Sequence, residues 1–131
     1  MMFVDTSVWF SMAVPSDQDH AVVAQLFRQN TEPLLTTDYV VDETLTLLRA
    51  RGYTQRALAL GTEFFSGSLA TLYYLTEADV RAAWDIFQKY HDKEWSFTDC
   101  SSKVVIDQMK ITRAASLDHH FRQFGNIVVE P

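Results

Sequence analysis

Met2-Phe3-Val4-Asp5-Thr6-Ser7-Val8-Trp9 reads as a short apolar strand closed by an acid, running directly into a helix. Val8, Trp9 and Met12 keep helical spacing until Pro15 interrupts it, so the expected elements are a strand to Asp5 and a helix over Thr6–Ala13. A strand that feeds a helix through an acid is the opening unit of an open parallel sheet, in which ligands gather beyond the carboxyl ends of the strands.

The unit repeats. Ser16 or Asp17 can cap a second helix to about Asn30 with Ala21, Ala24, Leu26 and Phe27 inward, and Pro33 ends that segment before a strand at Leu34–Thr36. Thr37 or Asp38 caps a helix to Arg51, Gly52 takes a left-handed stop, and Thr54 caps the next helix to about Phe65, before a break at Gly67. Leu69–Leu75 is rich in aromatic and apolar residues and predicts a strand. Thr76 with Asp79 resembles a capping box for a helix to about His91, and Trp95–Thr98 reads as a loop. Asp99–Thr112 carries Val104, Val105, Met109 and Ile111 at helical spacing. Ala114–Leu117 predicts a strand, Phe121 a helical turn and Ile127–Val129 the last strand. Alternation of this kind predicts an α/β fold, a three-layer sandwich whose mostly parallel central sheet has helices on both faces, in one domain spanning residues 1–131.

Composition sets limits on function. With 47% hydrophobic and 21% charged residues the chain is globular rather than disordered. No apolar run is long enough to span a bilayer and no basic leader opens the chain, so a soluble cytoplasmic protein is expected. The single Cys100 cannot form an internal bridge and is read as a buried small hydrophobe. A net charge of -6 opposes nonspecific nucleic-acid binding, which Lys and Arg drive. Two bound divalent ions would bring the charge to about -2 and would themselves present positive charge to a phosphate.

Four acids fall where such a sheet gathers ligands. Asp5 closes the first strand, Glu43 lies in the second turn after the second strand, Asp99 opens a helix, and Asp118 follows the Ala114–Leu117 strand. Four carboxylates together repel unless protonated or bridged by cations, and oxygen-only donors suit Mg²⁺ or Mn²⁺. Each acid alone also fits a turn residue, a helix-start acid or a solvated face. Asp42 and Glu43 both flank the apolar arc of Val41, Leu45 and Leu48, and periodicity leaves the choice between them open.

The segments Phe3-Val4-Asp5-Thr6-Ser7, Val41-Asp42-Glu43-Thr44-Leu45, Phe97-Thr98-Asp99-Cys100 and Ser116-Leu117-Asp118-His119-His120-Phe121 resemble the four acidic motifs of the PIN-domain ribonucleases, especially the VapC-type toxins of toxin–antitoxin systems. The resemblance spans essentially the whole chain in the family's order. It selects Glu43 over Asp42 and implies a metal-dependent endoribonuclease in which Asp5, Glu43, Asp99 and Asp118 are the catalytic and metal-holding residues. Thr6 or Ser7 is then a hydroxyl able to orient a ligand or water. The cofactor implied is Mg²⁺ or Mn²⁺ and the products end in 5′-phosphate and 3′-hydroxyl. The partners implied are RNA, a small antitoxin and a second copy of the chain in a homodimer. The rival from another class is a PIN fold that binds protein without catalysis.

Other features are set aside. Arg49, Arg51 and Arg56 read as solvated helix ends. His119 and His120, about 100° apart on a helical turn, read as packing rather than joint ligands. Trp9, Trp84, Tyr73 and Tyr74 read as core rather than base-stacking surfaces. A second Asp two residues after Asp5, required of a haloacid-dehalogenase-like phosphatase, is replaced by Ser7. A receiver's phospho-accepting Asp after the third strand is replaced by Leu75-Thr76, and the Gly-x-Ser-x-Gly elbow of a serine hydrolase is missing.

Overall fold

A computed structural model describes all residues, Met1–Pro131. Its elements are β1 (Met2–Val4), α1 (Thr6–Ala13), α2 (His20–Gln29), β2 (Leu34–Thr37), α3 (Asp38–Ala50), α4 (Thr54–Ser66), β3 (Thr71–Tyr73), α5 (Glu77–Lys89), α6 (Phe97–Gln108), β4 (Arg113–Ala115), a 3₁₀ turn (His119–Gln123) and β5 (Val128–Glu130). The five strands form one sheet in the order β3-β2-β1-β4-β5, and every pairing is parallel.

β1 lies at the centre, and Met2, Phe3 and Val4 are all fully buried, the uninterrupted apolar signature of a strand covered on both faces. From β1 the chain winds outward through β2 to β3, then returns across β1 to β4 and β5. Right-handed crossovers in the two directions put α1 to α4 on one face of the sheet and α5 with α6 on the other. The core is continuous through the sheet. On one side Trp9 stacks near Phe27 and meets Phe64 edge-on, with ring centroids 5.7 and 5.1 Å away; on the other side of the core Phe121 packs against Phe3 and Phe124. No helix is long and apolar enough to cross a membrane.

Several element boundaries differ from expectation for local reasons. The Asp17 carboxylate accepts from Ser11 Oγ and the backbone N–H of Asp19, forming a turn rather than a cap, so α2 starts only at His20 and Ala21 is exposed while Val23 is buried. Thr54 is the first residue of α4 and caps nothing. Gly52, at φ +87°, lets the N–H of Tyr53 reach back to the Leu48 carbonyl at 2.8 Å, and the next helix follows at once. β3 is shorter than Leu69–Leu75, because its ladder with β2 ends at Tyr73 and the N–H of Leu75 donates to Asp38 instead. α6 ends at Gln108, where Lys110 adopts φ +55° and the N–H of Ile111 returns to the Ile106 carbonyl. Trp9 is core as expected, whereas Trp84 and Tyr74 are exposed, because α5 and the end of β3 are outermost on their flank.

Candidate active site

Asp5 is the N-cap of α1. Its Oδ2 accepts from Ser7 Oγ at 2.9 Å, Ser116 Oγ at 3.0 Å and the N–H of Ser7 at 3.4 Å. A cap acid between a central strand and its helix has little access to water, and Asp5, which meets solvent only through the cavity it lines, is 4% exposed. Burial, assisted by the charge of Asp99, raises its pKa to about 6 against the lowering effect of the serine hydrogen bonds.

Asp99 is placed by a capping box. Ser96 Oγ accepts from the N–H of Asp99, and Asp99 Oδ2 accepts from the N–H of Ser96, both at 3.0 Å. The helix therefore begins at Phe97, and the stretch expected as the loop Trp95–Thr98 is its cap and first turn. The Ser-x-x-Asp pattern repeats the Thr76-x-x-Asp79 signature, so the signal was present in the sequence. Burial raises the Asp99 pKa and the Asp118 charge adds to this, while the hydrogen bonds from Ser96 and His120 oppose it.

Asp118 caps the 3₁₀ turn, its Oδ1 accepting from the N–H of His120 at 3.0 Å, while its own N–H donates to Ser116 Oγ at 3.0 Å. Glu43 is half-buried on α3 and Asp42 is exposed. All four acids line one cavity of about 290 Å³, together with Ser7, Ser96, Glu94 and His120. A larger, mainly apolar cavity of about 600 Å³, lined in part by Trp9, Phe27 and Leu60, contains none of the four.

Ser7 and Thr6 differ in what their hydroxyls do. Ser7 Oγ donates to Asp5 and accepts from the N–H of Leu117, whereas Thr6 Oγ1 is committed to the Val40 carbonyl and Thr44. Cys100 is buried and its thiol is pushed up to about 11 by burial, which suits its expected packing role. Arg56 donates to the Ala13 carbonyl.

Sequence reasoning passed over three polar groups at this site. His120 Nδ1 lies 3.1 Å from Asp99 Oδ2 and 3.3 Å from Asp118 Oδ1, so the tautomer with its proton on Nδ1 donates to Asp99 while Asp118 stands in close contact beside it. Ser116 links Asp5 to the Asp118 backbone, and Glu94 adds an exposed fifth carboxylate. The reading of His120 as packing is corrected by these contacts. It weighed the histidines against each other, whereas the partners of His120 are the acids.

The donor set at this cavity is mainly carboxylate and hydroxyl oxygen, with the one imidazole of His120 and no sulfur. With two buried acids whose pKa values are raised by burial and by neighbouring carboxylate charge, the residues present fit a hard divalent cation.

The sequence matches the family model of the PIN domain over residues 2–127. The chain belongs to the PIN-domain family. Among its relatives, the 23S rRNA-specific endonuclease VapC20 of Mycobacterium tuberculosis is 28% identical over 131 residues, covering 100% of this chain and 99% of that protein. A VapC ribonuclease of Archaeoglobus fulgidus is 27% identical over 123 residues, covering 90% of this PIN-domain chain and 77% of its own. The crystal structure of M. tuberculosis VapC20, described as a sarcin-ricin loop cleaving toxin, superposes with a TM-score of 0.92 at 26% identity over the whole of both chains. That of FitAcB from Neisseria gonorrhoeae shares the PIN fold, with a TM-score of 0.71 at 19% identity over 100% of this chain and 97% of its own.

Proposed function

We propose that this chain, one PIN domain over residues 1–131, is a metal-dependent endoribonuclease and the toxin of a toxin–antitoxin pair, with Asp5, Glu43, Asp99 and Asp118 holding Mg²⁺ or Mn²⁺. The observation that carries this reading is the convergence of those four acids in one cavity beyond the carboxyl ends of β1, β2 and β4. Full-length likeness to VapC20 supports the toxin assignment and makes the sarcin–ricin loop of 23S rRNA the first substrate to try.

When bound, divalent cations supply charge neutralisation at the phosphoryl group and lower the pKa of an attacking water. The chain's own residues do the positioning. Ser7 and Ser116 fix Asp5 through one oxygen, the Ser96 N–H fixes Asp99, and His120 spaces Asp99 from Asp118. Hydrolysis would leave 5′-phosphate and 3′-hydroxyl ends. The partners in this reading are RNA, a small antitoxin and a second copy of the chain, and the compartment is the cytoplasm.

Cleavage of a sarcin–ricin loop oligonucleotide and of total RNA, with Mg²⁺ and with EDTA, tests the proposal. Cleavage that EDTA abolishes and excess Mg²⁺ restores is expected. Cleavage indifferent to EDTA would overturn the metal mechanism, and no cleavage of any RNA would favour a non-catalytic PIN module.

A further inference from the structure

The two histidines after Asp118 do not diverge. Side chains in the first turn of a helix lean toward its N-terminus, so both rings lean back over the capping acid. Their centroids are 4.4 Å apart at an interplanar angle of 61°. His119 Nδ1 lies 3.8 Å and His120 Nδ1 3.3 Å from the same Asp118 Oδ1, and one ligating atom from each of the three residues falls within 4.8 Å of the other two.

We propose that Asp118, His119 and His120 form a second metal site of mixed nitrogen and oxygen donors, which takes Zn²⁺ at the edge of the acid cavity and withdraws Asp118 from the set that serves Mg²⁺. This inference rests on the proposed function for its effect on activity, but not for the site itself. Zinc bonds of about 2.0–2.1 Å in a tetrahedron set neighbouring donors roughly 3.3–3.4 Å apart. The two Asp118–imidazole separations bracket or meet that edge, and rotation of the exposed His119 ring closes the remaining gap. Two imidazoles and a carboxylate favour Zn²⁺ over Mg²⁺, which prefers oxygen throughout, and the fourth position is left to water.

Zinc needs the Nδ1 lone pair of His120. A zinc-bound His120 must carry its ring proton on Nε2, so Nδ1 can then no longer donate to Asp99 Oδ2, 3.1 Å away. Zinc at this point therefore acts twice on the acid set, by occupying Asp118 and by releasing Asp99. His119 has a side chain 77% exposed and does not line the acid cavity, so it belongs to the second site alone.

The test is Zn²⁺ titration of the full chain against a chromophoric chelator, comparing the parent with His119→Ala, alongside calorimetry with Mn²⁺. His119→Ala should bind Zn²⁺ about tenfold more weakly or worse, with Mn²⁺ affinity within about twofold of the parent. In cleavage assays with excess Mg²⁺, Zn²⁺ should inhibit the parent, and the variant should need about tenfold more Zn²⁺ for the same inhibition. Equal Zn²⁺ affinity in the two proteins would overturn the site. Weakened Zn²⁺ binding in a chain that cuts no RNA would support the site and defeat the proposed function, so the two failures are separable.

Discussion

Ser116 donates its hydroxyl to Asp5 Oδ2 at 3.0 Å, joining the end of β4 to the end of β1. Ser7 donates to the same oxygen, and no hydrogen bond falls on Oδ1. One half of the carboxylate is thus spent on orientation and the other is free to act as a donor to a cation. The arrangement is costly without one, because the charge is buried beside Asp99.

The folded-state pKa of Asp5, about 6, lies above its ordinary value of 3.8, so the folded protein binds the proton more tightly than the unfolded chain does. The stabilisation this gives is complete below about pH 4 and is lost as the pH rises through about 6. Metal-free protein should therefore lose stability across that window, by at most about 3 kcal/mol from Asp5. Asp5→Asn should flatten the loss, melt higher than the parent at pH 8 in EDTA, and cut no RNA. Urea titrations at pH 5 and pH 8 check it, and a parent that is equally stable at both would contradict the burial argument.

Ser96 and Thr76 make the same cap on neighbouring helices, but only Ser96 supports an acid of the cavity. Ser96→Ala and Thr76→Ala should each cost about 1 kcal/mol of stability. Calorimetry with Mn²⁺ should separate them, with weaker binding in Ser96→Ala alone. Equal Mn²⁺ affinities would show that the cap does not position Asp99.

Trp9 is 1% exposed, donates Nε1–H to Thr36, and contacts two rings across α1, α2 and α4. Trp9→Ala should cost about 3–5 kcal/mol, read as a shift in the urea midpoint. A loss below about 1 kcal/mol would mean that this part of the core repacks freely.

An antitoxin that silences this site by setting a basic side chain among the acids would compete with the cation, since guanidinium pairs with carboxylates in bidentate geometry. Inhibition should weaken as Mg²⁺ is raised at fixed ionic strength, and Asp99→Asn should bind the partner less tightly. Coexpression with the neighbouring gene followed by Mg²⁺ titration of the complex measures this. Inhibition independent of Mg²⁺ would place the partner's contact elsewhere.

Strand–helix alternation and the positions of four acids were legible because each depends on residues near in sequence: an apolar run, a breaker, an acid at the seam. The winding order was not, since nothing in Leu72 or Ala114 says that one strand lies two places from β1 and the other beside it. His120 escaped for a related reason. Its decisive partner, Asp99, lies 21 residues back at the start of α6 and meets His120 only in the folded chain, which no periodicity records. The Ser96 cap is a different kind of miss, because its signature was local and complete.

The winding order also fixes when the acid set can exist. Asp5 is made early, but Ser116 and Asp118 reach it only after β4 has been synthesised and has docked against β1 across a separation of more than 100 residues. Contacts of such long range are slow to form and come late in folding. A growing chain that has not passed Asp118 therefore lacks one of the four acids proposed to hold the cation. If the proposed nuclease reading holds, cleavage is expected only from chains in which β4 has docked, so the strand that closes the centre also sets when activity begins.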